Sequence, residues 1–179
     1  MKNSDRRNRF DQQFIKNSKI FFVLPLNGKI LQGKVILAGN VVLAAGTTNG
    51  VKNGEGGPIN LVKRIIVTAT PAPNSRYPGG KVVDCDARSL MRYAIFQRAK
   101  FMGELAASTL GNGAAGNYTI YLSIPIYWAD PNFKRQVETA LNADPTAYQS
   151  ITVEVDTGAI TDCFTGNDRT EDYSGLHVQ

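Results

Sequence analysis

Along most of this chain, apolar and polar residues alternate with a period of two, and the alternation is broken at short intervals by Gly, Asn and Pro. The segment NYTIYLSIPIYW (117–128) places Tyr118, Ile120, Leu122, Ile124 and Ile126 on one side and Thr119, Tyr121 and Ser123 on the other. That is the pattern of a strand with one face in a core. Pro125 offers no backbone N–H, so the strand bends there or lies at a sheet edge. SITVEVDTG (150–158) alternates in the same way, with Ile151, Val153 and Val155 opposed to Thr152, Glu154 and Asp156. INLVKRIIVTAT (59–70) reads as one strand, with Leu61, Ile65 and Val67 on one parity and Val62, Arg64, Ile66 and Thr68 on the other. Apolar residues on both parities are expected where a sheet is covered on each side or lies within a sandwich. IFFVLPL (20–26) and the residues Val35, Leu37, Val41 and Leu43 supply further apolar and β-branched weight suited to strands.

Between these runs, residues 46–58 and 71–80 are dense in Gly, Asn and Pro and read as loops, candidates for intersubunit or outward-facing surfaces. One helix stands out: Asp86 can cap ARSLMRYAIFQRAKF (87–101), in which Leu90, Met91, Ala94 and Ile95 form an apolar stripe. Arg88 and Arg92 then fall on the solvent side, joined further along by Arg98 and Lys100. Val137 and Leu141, four apart, mark a short helical patch before the next strand. At the other end, DCFTGNDRTEDYSGLHVQ (162–179) is polar and stops just as LHV takes on strand character. On this reading the chain is truncated before its last strand, or its end pairs with a partner.

Residues 1–19 form a separate block, rich in Asn, Gln and base, with Phe10, Phe14 and Ile15 as its large apolar residues. Phe10 and Phe14 are spaced for one face of a short docking helix; the other reading is a disordered basic arm. Lys2, Arg6, Arg7, Arg9, Lys16 and Lys19 give the block its positive charge, and the cluster Arg6, Arg7 and Arg9 is expected to meet phosphate groups. The expected organisation is therefore an arm over 1–19 and an ordered β domain over 20–179.

Composition bounds the chemistry. With 179 residues, 42% apolar and 20% charged, the chain suits one compact domain with an ordered core. A net charge of +5 permits contact with nucleic acid or anionic lipid without requiring either. Cys85 and Cys163 lack CxxC spacing and are read as reduced, buried small hydrophobes. No run approaches the roughly 18 apolar residues of a membrane span, and no apolar signal core follows the polar N-terminus, so synthesis and retention in the cytoplasm are expected. The single histidine, His177, sits two residues from the end, where a catalytic base would be poorly held. Asp84-Cys85-Asp86 at the head of a helix is more simply a capping region than a metal site. There is no GxSxG, Walker loop or HExxH, and NGEGGP does not lie between a strand and a helix. The reading is of a non-enzymatic protein with no cofactor, no metal and no catalytic residue.

Three segments carry a family resemblance. GGPINLVKRIIV (56–67) resembles a stretch in the first barrel of tectivirus-type double jelly-roll major coat proteins, through Gly57, Pro58, Asn60, Leu61, Val62 and Arg64. GAAGNYTIYLSIPI (113–126) is similar to a second, through Gly116, Thr119, Tyr121 and Pro125, and ALNADPTAYQSITVEV (140–155) to a third. All three fall in the family's order, across most of residues 20–157. The resemblance implies an all-β jelly-roll sandwich of two antiparallel sheets, with one helix of about three to four turns. It implies assembly with copies of itself into trimers or pseudo-hexameric capsomers, with neighbouring capsid proteins, into an icosahedral shell located in the virion. It also implies that the arm faces an internal lipid membrane or the genome. Family members are considerably longer, so either this is the N-terminal barrel of a longer chain or the capsomer is built from single-barrel subunits. A different class of function, a soluble jelly-roll carbohydrate-binding module, would use Trp128 and Tyr127 to stack on a sugar ring.

Overall fold

The computed structural model describes residues 10–30, 32–44, 51–52, 57–97, 115–128, 140–165 and 170–179. Its strands are β1 (Gln12–Gln13), β2 (Lys19–Leu24), β3 (Gly28–Ile30), β4 (Gln32–Leu43), β5 (Val51–Lys52), β6 (Val62–Pro71) and β7 (Gly80–Asp86). They continue with β8 (Gly116–Tyr127), β9 (Leu141–Ala143), β10 (Tyr148–Thr157), β11 (Phe164–Thr165) and β12 (Glu171–Val178). Among the described residues the helices are α1 (Ala87–Gln97), a single turn α2 (Ile160–Cys163) and a 3-10 segment over Gly57–Leu61.

Two four-stranded antiparallel sheets carry the fold, ordered β1-β12-β4-β8 and β2-β10-β6-β7, while β3-β9 and β11-β5 are small ribbons. Count the strands of the two large sheets in chain order and a rule appears. The first pairs with the last, the second with the seventh, the third with the sixth and the fourth with the fifth. A single long antiparallel hairpin, wound round on itself, produces this pairing. It is the double Greek key of a jelly roll. The expected fold class, an all-β jelly-roll sandwich of two antiparallel sheets with one short helix, is the one observed.

The core lies between the sheets. Val35, Leu37, Val41 and Leu43 of β4, Ile120, Leu122, Ile124 and Ile126 of β8, and Leu176 and Val178 of β12 line one side. They face Ile20 and Phe22 of β2, Ile65 and Val67 of β6, and Ile151, Val153 and Val155 of β10. A fully buried Leu or Ile of this kind contributes about 1.5–3 kcal/mol from area alone. Pro125 falls on β8, an edge strand of its sheet, as a missing N–H requires.

In its elements and termini the structure differs from the sequence reading at four places. Residues 59–61 do not begin a strand: Pro58 holds φ in the helical range, and Gly57–Leu61 makes a 3-10 turn that buries Ile59 and Leu61 before β6 starts at Val62. Leu141 lies in β9 and not in a helix; Val137 falls outside the described residues.

The arm boundary at residue 19 moves inward. β1 is the outer strand of a large sheet, Phe14 N–H donates to Leu176 O at 2.8 Å, and the Phe14 ring packs 5.0 Å from that of Tyr173. A spacing of four puts Phe10 and Phe14 on one side of an extended chain as well as of a helix, and the extended form is the one adopted.

The tail, finally, does not stop short of a strand. Glu171–Val178 is β12, seated between β1 and β4, and Gln179 exchanges both backbone hydrogen bonds with Ile36 at 2.7 and 2.8 Å. A bulge between Asp172 and Gly175 shifts the inward parity from Tyr173 to Leu176 and Val178, which hides the alternation.

Gly39 sits opposite this bulge with φ at +131°, and a Cβ there would overlap the carbonyl oxygen of Gly175. We expect Gly39→Ala to cost at least about 1–3 kcal/mol through backbone strain. Urea unfolding would register this as a lowered midpoint at unchanged slope.

Candidate assembly surface

Three polar clusters hold the elements that shape the barrel's surface. At the first, the chain crosses from β1 to β2 through Asn17, whose φ is +50°. Thr157, at the end of β10, pins this corner: its Oγ1 accepts from Ser18 N–H at 3.0 Å and faces the carbonyls of Ile15 and Ser18. Asn17, Ser18, Lys19, Lys63, Asp156 and Thr157 line an open groove there, and Lys63 spans it from Asn17 at 3.3 Å to Asp162 at 2.9 Å.

Asn60 organises the second cluster. Its Oδ1 accepts from Arg88 Nε and Nη2 at 3.0 and 2.6 Å, and its Nδ2 donates to the carbonyl of Asp162 at 2.9 Å. Gly158 is packed so closely on the Asn60 carbonyl that a side chain would collide with it. The 3-10 turn, α1 and α2 are thereby tied together. Arg88, expected on the solvent side of the helix, is instead half-buried on Asn60, because the 3-10 turn brings that amide within reach of the first turn of α1.

Tyr173 organises the third. Its hydroxyl donates to Glu171 at 2.9 Å and accepts from Ile160 N–H at 2.8 Å. Burial, with Glu171 close by, raises its pKa far above the ordinary tyrosine value. Burial likewise pushes the nearby Cys163 thiol up to about 12, keeping it protonated and inert.

The outward face of the sheet β2-β10-β6-β7 is a grid fixed by register. One row runs Lys19, Asp156, Arg64, Asp86; the next Phe21, Glu154, Ile66, Asp84; the third Val23, Thr152, Thr68, Lys81. Signs alternate along the first row, and apart from Asp86, whose carboxylate bonds to Ser89, the charges of the grid pair with one another. Lys19 pairs with Glu154 and lies 3.7 Å from Asp156, Arg64 lies 2.5 Å from Asp84, and Lys81 lies 2.9 Å from Asp84. The Arg64 hydrogen bond, then that of Lys81, holds the Asp84 carboxyl below its ordinary value, while Glu154 and Asp156 raise Lys19. Each pair is exposed, so the ladder contributes little stability. Phe21 and Val23 remain as large apolar side chains on an outer strand, 49% and 61% exposed.

The sequence-derived positions distribute unevenly over this framework. Lys2, Arg6, Arg7 and Arg9 lie outside the described residues, as do Arg98 and Lys100. Phe10 packs 5.9 Å from Phe22, Phe14 is core, and Lys16 reaches Glu171 at 3.2 Å, so these three are bound to the barrel. Gly57, Pro58, Leu61 and Val62 are buried, Asn60 is the tie just described, and Arg64 belongs to the charge grid. Gly116 opens β8, Thr119 donates to Asn40 at 2.9 Å, Pro125 is buried and Tyr121 is exposed on the outer face of the other sheet. The motif positions are thus mainly architectural.

Of the two loops, 71–80 is described: Arg76 stands over the Tyr77 ring at 5.8 Å, and Tyr77 packs on Tyr148. Most of 46–58 lies outside the described residues. Trp128 is half-buried with its indole against Gly33, so the ring proposed to stack on sugar is engaged in packing. His177 is on β12, where its Nδ1 lies 3.0 Å from Asp11 Oδ1. Asp84 and Asp86 are taken by the ion pair and the helix cap, and among the described residues no cluster of His, Cys, Asp and Glu is arranged to hold a metal. Sequence reasoning missed the exposed pair on β2, although the alternation across Lys19–Leu24 carried the signal: Ile20 and Phe22 inward leaves Phe21 and Val23 outward.

Comparison with protein-family models gives no match, and comparison with curated protein sequences gives none. Solved structures do match. The crystal structure of the major capsid protein of Sulfolobus turreted icosahedral virus aligns with a TM-score of 0.60 at 12% identity, covering 96% of this chain and 45% of that one. The atomic structure of the same virus gives 0.60 and 12%, covering 96% and 42%. The VP54 protein of PBCV-1, fitted into a reconstruction of the virophage Sputnik, reaches 0.45 at 10% identity. The chain therefore spans under half the length of the solved chains it matches, and what it shares with them is the fold. The neighbour matched at a TM-score of 0.60 is a viral major capsid protein, the class to which the sequence resemblance pointed.

Asp86 caps α1, accepting from Ser89 N–H at 2.8 Å and from Ser89 Oγ at 2.6 Å, and these bonds lower its pKa. A carboxyl depressed in the folded state stabilises the fold above its unfolded pKa, and that stabilisation fades as pH falls through the folded value. Asp86→Ala should therefore cost about 1 kcal/mol at pH 7. In denaturant titrations at a series of pH values, the difference from wild type should shrink below pH 4.

Proposed function

We propose that this chain is a structural subunit of a viral capsid, which assembles with its own copies into trimeric, pseudo-hexagonal capsomers of an icosahedral shell. The observation that carries the reading is the jelly-roll strand order, aligned over 96% of this chain with a viral major capsid protein. Identity at this level transmits fold and not function. The function is argued from the fold together with a surface whose grid of charges is bonded within the chain and whose large apolar side chains stand on an outer strand. Such a surface suits lateral contact between many copies, where weak contacts add through multivalency. Because the matched chains are more than twice as long, the barrel serves either as one half of a longer capsid chain or as a subunit paired with another barrel.

The test is the mass of the purified protein across a concentration series, by light scattering. A trimer, or a larger closed assembly in multiples of three, is expected. A monomer at every concentration would refute self-assembly of capsomers from this barrel alone.

In the same reading, Lys2, Arg6, Arg7 and Arg9 lie ahead of β1 and face anionic lipid or the genome inside the shell. Each basic residue near such a surface contributes about 1 kcal/mol. Replacing Arg6, Arg7 and Arg9 together by Ala should leave unfolding by urea unchanged and weaken binding to phosphatidylserine vesicles or duplex DNA in low salt. Binding equal to wild type in both would remove the role assigned to the arm.

A further inference from the structure

Among the described residues the two large sheets have four outer strands, and three of them are guarded. β1 is two residues long. β8 carries Pro125 and packs against α1. β7 meets β6 through a bulge between Val67 and Thr68, which breaks the regular register along that edge. Shortness, proline, bulges and charge are the devices that keep sheet edges from pairing with other chains.

β2 is built differently. It is six residues, KIFFVL, in unbroken register with β10 from Lys19 to Leu24. Among the described residues, one side chain bonds to its free edge: Gln12 Nε2 donates to Phe21 O at 2.8 Å. That bond marks Phe21 as a residue whose backbone groups point away from β10. By the alternation of antiparallel pairing, those of Lys19 and Val23 point the same way.

We propose that the free edge of β2 is a contact between copies of this chain, in which β2 pairs antiparallel with β2 of a second copy about a two-fold axis at Phe21. The proposal rests on the shell-subunit reading and names one of its contacts. In this register Phe21 opposes its own counterpart, and Lys19 opposes Val23 on each side of the axis. No like charges face one another, because the Lys19 ammonium is already turned to Glu154 and Asp156 of its own chain. Its aliphatic stem is left to cover Val23. The Phe21 N–H of the second copy takes the place of the Gln12 amide on the Phe21 carbonyl.

The area argues for the occupant. Two side chains and a six-residue edge bury well under the ~800 Å² per partner of a stable interface. A separate soluble partner would not stay bound on this contact alone. A second copy held at further contacts in an assembly would.

The test uses the full chain with Cys85→Ser, so that the buried Cys163 is the one remaining native thiol. Residues paired across the axis have Cα atoms about 5.5 Å apart, within disulfide range. Phe21→Cys under mild oxidation should therefore give a covalent dimer at protein concentrations where light scattering shows association. Val82→Cys, exposed at the far edge of the same sheet, should stay unlinked. Adding Val23→Lys to Phe21→Cys should reduce the yield at least tenfold with the circular dichroism spectrum unchanged. Equal cross-linking of Phe21→Cys and Val82→Cys, or no cross-link through Phe21→Cys in an associated sample, overturns the β2 contact and leaves the shell reading standing. A chain that stays monomeric and unlinked throughout overturns both the contact and self-assembly from this barrel alone.

Discussion

Everything in this barrel depends on β12 taking its place between β1 and β4. That strand pairs the last segment of the chain with nearly the first, and it buries Leu176 and Val178 against the opposing sheet. Without it β1 has no partner, Phe14 loses the tyrosine ring it packs on, and the backbone of Ile36 loses both bonds to Gln179. Pairings between such distant segments carry the full entropy of loop closure before any contact compensates it. The polar ties lie where this cost is concentrated. Thr157 pins the corner between the sheets, and Tyr173 fastens the start of β12 to α2.

How much of this was legible in the chain depends on whether one face of a strand is wet. β8 and β10 could be read because Ile120, Leu122 and Ile124, or Ile151, Val153 and Val155, alternate with residues turned away from the core. Period two survives when the register is regular. β12 could not be read, since the bulge opposite Gly39 changes parity between Tyr173 and Leu176. β1 is too short to carry a pattern, and the same spacing of Phe10 and Phe14 fits a helix and an extended chain equally. The 3-10 turn at Pro58 resembled the start of β6 because its buried residues adjoin that strand in sequence without belonging to it. Pairing order was beyond reach of local pattern altogether; the resemblance to capsid barrels supplied the two-sheet architecture, and the order comes from the structure.

The surface was less legible than the core for a related reason. Asn60, Arg88 and Asp162 lie far apart in sequence, and nothing local shows that one amide joins a turn and two helices. The alternating charges Lys19, Asp156, Arg64 and Asp86 come from four strands and become a row only through register. Phe21 and Val23 are the opposite case. Their exposure follows from the burial of Ile20 and Phe22 on the same strand, and it was hidden by reading the whole run as uniformly apolar.

A barrel of this kind has to reconcile two demands on its edges. An unguarded apolar strand is an invitation to uncontrolled pairing, yet a subunit that builds a shell must offer some edge or face to its neighbours. Among the described residues, outer strands closed by shortness, proline or a bulge leave the proposed β2 edge as the direction in which pairing would extend. Six residues in one strand give too little area to hold a pair of chains unaided, so the proposed pairing would be durable only when other contacts hold the same two copies. The charge grid beside the strand adds direction without adding strength, since its ions are matched within the chain and have little to gain from a misplaced neighbour. A weak apolar edge beside a self-neutralised face therefore favours reversible, correctable contact. Growth of a closed shell needs that reversibility, because a misplaced subunit has to leave before its neighbours fix it.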